Sequence, residues 1–192
     1  EIVKADHNKI QIFDFPNNLL NLNNIINNYK GFEKNYISKT DKKRSKFYLE
    51  EGLRNRKRSS FFNESEWIKS LKIKISISKL KNFQRAEEMF SRTNQFNTSH
   101  KLLNKTDILK LSKEKGSFIY QISMNDKFGD YGIISIVCIK HTIKSFHIYH
   151  FLQSCRVFKR NVEQVVLNFI LNEKTFKNKQ GYILIKRNEK NK

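Results

Sequence analysis

"HFLQSCRVFKRNVE", His150 to Glu163, sets a cysteine, two arginines and a lysine between two differently patterned segments. Before the cysteine, "SFHIYHFL" alternates as a strand does. Beyond the basic residues, "NVEQVVLNFILNEKTF" repeats its apolar residues at helical spacing. The stretch therefore reads as a strand-to-helix turn. Such a turn presents backbone N–H groups and the positive end of a helix dipole, where phosphates and thiolates are stabilised. Three readings follow: Cys155 as a nucleophile, Arg156 to Arg160 as a phosphate cradle, or a plain basic turn.

Outward from this turn the pattern is that of an α+β domain. "LKIKISIS" from Leu71, "SFIYQISM", "YGIISIVCIK" and a final "GYILIK" read as strands. "LKNFQRAEEMFSRT" reads as a helix with Phe83, Ala86, Met89 and Phe90 on one side; "NKTDILKLSKEKG" reads as a shorter helix capped by Thr106 and closed at Gly116. The order is β-α-α-β-β-β-α-β, mostly antiparallel, with one helix crossing over to the last strand. In "SFHIYHFL" strict alternation places Phe146, Ile148 and His150 on one face and His147, Tyr149 and Phe151 on the other. Upstream, residues 1–30 give a short alternating run, "KIQIFDFP", a break at Pro16, and an Asn-rich amphipathic helix. Residues 31–70 read as connecting helices: one starting near Ser38 or Thr40 and polar nearly all round, then a separate "SEWIKSL". Residues 71–192 form the domain proper.

The chain of 192 residues has a formal charge of +20. That charge suits a polyanion partner, an anionic membrane or an acidic protein. It also fits compositional drift, because Lys, Asn and Ile are abundant, Ala, Gly and Pro are scarce, and the lysines are spread rather than clustered. Cys138 and Cys155 make neither a disulfide framework nor a metal-ligand pattern, so no metal site is expected. The sequence shows no signal-peptide pattern and no run long enough to cross a membrane, and the expected location is the cytoplasm. A first residue of Glu1 suggests an excised piece.

Four segments, in order along the chain, resemble one family, the FkbH-like proteins. "GFEKNYISKTDKKRSKFY" (31–48) is similar to their F-E…T-x-x-D-x-x-R-x-x-x-Y bridge, and "SRTNQFNTSHK" (91–101) to their RTNQFN signature. "DKFGDYGIISIV" (126–137) resembles their D-x-F-G-D-x-G turn and strand, and "FLQSCRVFKRNVE" (151–163) their F-L-x-S-C-R-V-x-G-R-G-V-E. The resemblance implies a haloacid-dehalogenase-type phosphatase domain joined to a GNAT-like acyltransferase domain. Together these load a glyceryl group from a phosphoglycerate donor onto an acyl carrier protein, in polyketide-type precursor biosynthesis. It makes residues 1–30 the helical tail of the phosphatase-type α/β domain. The acceptor would be the carrier's phosphopantetheine thiol, and magnesium would belong only to the phosphatase half. The thioester role maps onto Cys155. Around it, Arg156 and Arg160 would hold phosphate and acidify the thiol, and His150 would be a possible base. Arg92, Asn94, Gln95, Asn97 and Asp130 would bind or orient substrate.

Three departures stand beside the match. The family's loop glycines are replaced by Lys159 and Asn161, which puts close phosphate approach in question. The family's I-D-T before F-L reads Ile148-Tyr149-His150, without the acid. No Asp-x-Asp pair occurs, and the chain stops at Lys192 where the family continues into a last helix and strand. It therefore needs a phosphatase domain in cis or trans, and its GNAT-like part reads as C-terminally incomplete. Bland alternatives remain for each residue. Cys155 could be a small buried hydrophobe, Asp130 a turn cap, and the Asn-Gln-Phe-Asn run a loop satisfying its own backbone. Two other functions compete: a catalytically silent carrier-docking module, and, less favoured for want of any known signature, a basic nucleic-acid binder.

Overall fold

The computed structural model describes residue 16, residues 18–29 and residues 44–186. In chain order its helices are α1 (Leu22–Asn28), α2 (Arg44–Arg58), α3 (Glu64–Ser70), α4 (Phe83–Arg92), α5 (Lys105–Lys113) and α6 (Val162–Asn172). Its strands are β1 (Lys74–Lys79), β2 (Phe96–Asn97), β3 (Ser117–Asp126), β4 (Gly129–His141), β5 (Ser145–Gln153) and β6 (Gln180–Ile183). The expected strand at "KIQIFDFP", the caps at Ser38 and Thr40, and the terminal "RNEKNK" lie outside the described residues.

β1, β3, β4 and β5 make an antiparallel sheet in that order. The outer edge of β5 is shared. β2 pairs antiparallel with Leu152 and Gln153, and β6 pairs parallel with Ser145 to Ile148. β2 was not foreseen, because two residues give no period to read. α4 and α5 cover one face, with Ala86, Met89, Phe90 and Ile108 packed on Ile119, Ile136, Cys138 and Leu152. α6 covers the other, with Val162, Val166 and Ile170 packed among Tyr120, Ile122, Ile139, Phe146 and Phe151. This is the layered α+β arrangement the order of elements implied. The first cap of α5 is Asn104 rather than Thr106; Asn104 and Asp107 form a reciprocal capping box. No helix among the described residues is long and apolar enough to cross a membrane.

Bulges break the alternation at three places. Tyr149 is the extra residue on β5, since Cys138 pairs with His150 and Ile139 with Ile148. Beyond it the faces exchange: Phe151 joins Phe146 and Ile148, while His150 and Leu152 turn to the α4 face. Strict alternation placed His150 on the wrong side because a one-residue insertion inverts everything after it. On β4 the extra residues are Tyr131 and Ile134, and both point into the α6-side core.

Residues 45–192 form one compact unit and residues 1–44 another. In the smaller unit, Asn18 caps a 3-10 turn, Leu19–Asn21, that leads into α1. α2 from Ser45 onward and α3 belong to the larger unit with the sheet. The reason is chemical. The polar-looking α2 carries Phe47, which packs on the α6-side core, and Arg54, whose side chain is fully buried.

Candidate active site

The turn after β5 starts at Ser154, whose N–H donates to the Ile134 carbonyl at 2.9 Å. Cys155 opens a 3-10 turn, Cys155–Val157, pinned by buried Val157; the thiol is exposed. The chain then passes through Lys159 (φ 62°) and Asn161 (φ 56°) into α6. Both are left-handed, the conformation glycine adopts freely and a residue with a Cβ resists by about 1–2 kcal/mol. These are the two positions where the resembling family has glycine. The backbone path is thus the one glycines would take, built from lysine and asparagine. Replacing Lys159 with glycine should raise stability by about 1 kcal/mol, or a Tm increase of roughly 2–4 °C, in thermal unfolding. A loss of stability would show that the lysine is not strained.

Cys155 stands at a cleft of about 240 Å³. One wall is the turn itself: Arg156, Phe158, Lys159 and Arg160. The other comes from α2 and α3: Phe47, Glu51, Asn55, Arg58, Glu64 and Trp67. Arg156 lies over the Phe47 ring at 4.7 Å, and its Nε donates to Ser154 Oγ at 3.3 Å. Arg58 and Glu64 face each other at 4.0 Å. The cleft therefore offers a thiol, an aromatic floor and several cations, with carboxylates among them.

A buried ionic network underlies it. Arg54 donates to both carboxylate oxygens of Asp126, at 2.7 Å from Nε and 2.9 Å from Nη2. The Asp126 carboxylate also accepts from the amides of Phe128 and Gly129 at 2.9 and 3.0 Å and from the Tyr131 hydroxyl at 3.2 Å. Burial alone would push the Asp126 carboxyl up. The Arg54 hydrogen bonds and charge, with the two amides, outweigh this and hold it below the usual carboxylate value. A Cβ at Gly129 would meet the Glu50 carboxylate of α2, which would have to swing aside. Arg160 joins the same network through the Tyr131 hydroxyl and Glu51.

Of the residues expected at the site, Cys155, Arg156 and Arg160 line the cleft, whereas Arg92, Asn94, Gln95, Asn97, Asp130 and His150 do not. His150 is on the other face of the sheet, its ring edge-on to Phe90 and its Nδ1 2.6 Å from Ser99 Oγ. Burial and the nearby Lys101 charge lower its pKa to about 4. The structure does not bring it to Cys155. Asn97 is buried, and its side-chain oxygen accepts from the amides of Ser99 and His100 at 3.2 and 3.0 Å. It shapes its own turn. Asp130 is exposed and accepts from the Gly132 amide at 2.8 Å, where φ is +65°. Asn94, Gln95 and Arg92 are exposed at the end of α4 and just beyond it. Their segment reaches the cysteine turn through Phe96, whose ring lies 6.3 Å from that of Phe158. Cys138 is buried, and desolvation pushes its thiol up to about 12, as suits a core residue.

The cleft wall on α2 and α3 was missed because a helix with charges on most faces reads as a linker or as packed on a neighbouring domain. One signal was present: Phe47 and Arg54, seven residues apart, lie two helical turns apart on one side of α2. Among the described residues no three ligating side chains converge as a metal site would need.

The sequence matches no protein-family model and no curated protein. Solved structures with some likeness include the ribosomal-protein-S18-alanine N-acetyltransferase from Escherichia coli. That likeness has 10% identity and a TM-score of 0.42, over 52% of this chain and 59% of that one. A GNAT-family acetyltransferase from Streptococcus pneumoniae is similar over 62% of this chain and 79% of its own, with 12% identity and a TM-score of 0.43. Another from Staphylococcus aureus is similar over 62% and 90%, with 13% identity and a TM-score of 0.42. The chain thus spans less than two thirds of the first of these. The likenesses are too distant to bear on activity.

Proposed function

We propose that residues 45–192 are a GNAT-like acyl-transfer domain in which Cys155 carries a glyceryl group between a phosphoglycerate-derived donor and an acyl carrier protein. The observation that supports this best is the exposed thiol of an S-C-R-V turn at the mouth of a cleft ringed by Arg58, Arg156 and Lys159. In the first step the Cys155 thiolate attacks the donor carbonyl, a C–S bond forms, and the bond to the donor's leaving group breaks. In the second, the carrier's phosphopantetheine thiol attacks the thioester, leaves the glyceryl group on the carrier, and returns the proton to Cys155. The cations suit the phosphate of donor or carrier arm and, more widely, an acidic carrier. β2 fills the edge of β5 beside Gln153, so an arm reaching Cys155 would approach from the α2–α3 side instead.

Incubation of the full chain with a glyceryl thioester, followed by intact-mass spectrometry, tests this without the phosphatase half. The expected result is a glyceryl adduct that is absent from Cys155→Ala. No adduct on a folded wild-type sample would overturn the reading. One observation favours a second reading, a silent docking module: the imidazole of His150 is turned away from the thiol. That reading requires carrier binding that survives Cys155→Ala, with no adduct on either protein.

A further inference from the structure

Arg160 is gripped from outside its own loop. Its Nη1 donates to the Tyr131 hydroxyl, and its Nη2 lies 3.3 Å from Glu51. Each partner is itself fixed. Tyr131 is a buried bulge residue of β4 whose hydroxyl reaches Asp126, and Glu51 lies 3.3 Å from fully buried Arg54. The residues on either side of Arg160 are the left-handed ones, Lys159 and Asn161. Both are exposed, and the Asn161 side chain makes no capping bond to α6. The grip on Arg160 is thus the side-chain anchor nearest to the unfavourable backbone.

We propose that Tyr131 and Glu51 are positioning residues that hold Arg160, and through it keep Lys159 and Asn161 left-handed, so that side chains do here what a pair of glycines would do unaided. The clamp sets where Cys155 stands against α2 and α3. Its importance for transfer rests on the acyl-transfer reading; the positioning does not.

The test is the rate at which iodoacetamide alkylates Cys155 in the full chain, read by mass. It uses wild type, Tyr131→Phe and Glu51→Gln, each with and without Lys159→Gly. Buried Cys138, 1% exposed, reports unfolding in the same tube. Each clamp variant is expected to change the Cys155 rate by about threefold or more while Cys138 stays unreacted. Lys159→Gly should return that rate to near the wild-type value, because glycine needs no clamp. An unchanged rate in either clamp variant, or a change that Lys159→Gly leaves in place, overturns the proposal. So does Cys138 alkylation in either variant, which would make the network a support of the whole fold. If this pattern holds while the wild type takes no glyceryl adduct, the acyl-transfer reading falls and the clamp stands.

Discussion

Arg54→Met is expected to destabilise the domain by about 3–5 kcal/mol in urea or thermal unfolding. The cost comes from what the substitution leaves behind. Asp126 has no exposed side-chain surface, and its strongest partner is Arg54. Without the guanidinium a buried carboxylate keeps two amides and one hydroxyl, which do not balance its charge. Arg54 also lies 4.3 Å from the centre of the Tyr131 ring, so packing is lost along with charge. The pH dependence separates these contributions. In the wild type the Asp126 carboxyl is held below its unfolded value. It therefore stabilises above that value, about 3.9, and the stabilisation is lost as pH falls through the folded value. In Arg54→Met burial dominates and raises the carboxyl above its unfolded value, so the variant's deficit should shrink as the pH falls toward 4 and Asp126 takes up a proton. A deficit under about 1 kcal/mol, or one that does not vary with pH, would mean that solvent reaches Asp126.

The same arginine shows where the sequence was legible and where it was not. Segments with a sustained period were readable: the helix from Val162, the strand from Leu71 and the paired strands around "NDKFGD" all form close to where the pattern put them. The helix buries one face and β1 half-buries one, which is what a period records, while β3 and β4 bury apolar residues toward both helical layers. Single residues with a tertiary role leave no period. Arg54 sits among other charges on α2, and only its seven-residue spacing from Phe47 hints that it is buried, with Glu50 beside it. Asp126 lay inside a quoted motif, yet its neighbour Asp130 drew attention because it follows the glycine. The structure gives the network to Asp126 and a turn-capping bond to Asp130. The cysteine turn was legible for a different reason: motif and position agreed. Its glycine replacements put close phosphate approach in question, and the structure shows left-handed backbone at both positions, carried by residues with a Cβ.

His150 joins this lesson to a second large effect. A bulge at Tyr149 turns the imidazole to the α4 face, against Phe90 and Ser99, where burial and Lys101 lower its pKa to about 4. An unfolded histidine titrates near 6.5, so between about pH 6.5 and 4 the unfolded chain binds a proton that the folded chain does not. Unfolding is therefore favoured as pH falls through that window, and about 3 kcal/mol of stability should disappear across it, at about 1.36 kcal/mol per pH unit. Below about pH 4 this contribution is exhausted. His150→Asn keeps a polar group near Ser99 and cannot titrate; it should lower stability at neutral pH yet flatten the profile between 6.5 and 4. Unfolding free energies at half-unit steps of pH provide the check, together with the chemical shift of the His150 ring proton. A ring pKa near 6.5, or profiles of equal slope for the wild type and the His150→Asn variant, would place the imidazole in contact with water. A ring that stays neutral to about pH 4 is a weak base locked to a serine on the wrong face of the sheet. Any proton that Cys155 gives up must then go elsewhere, to water or to a group on the α2–α3 wall.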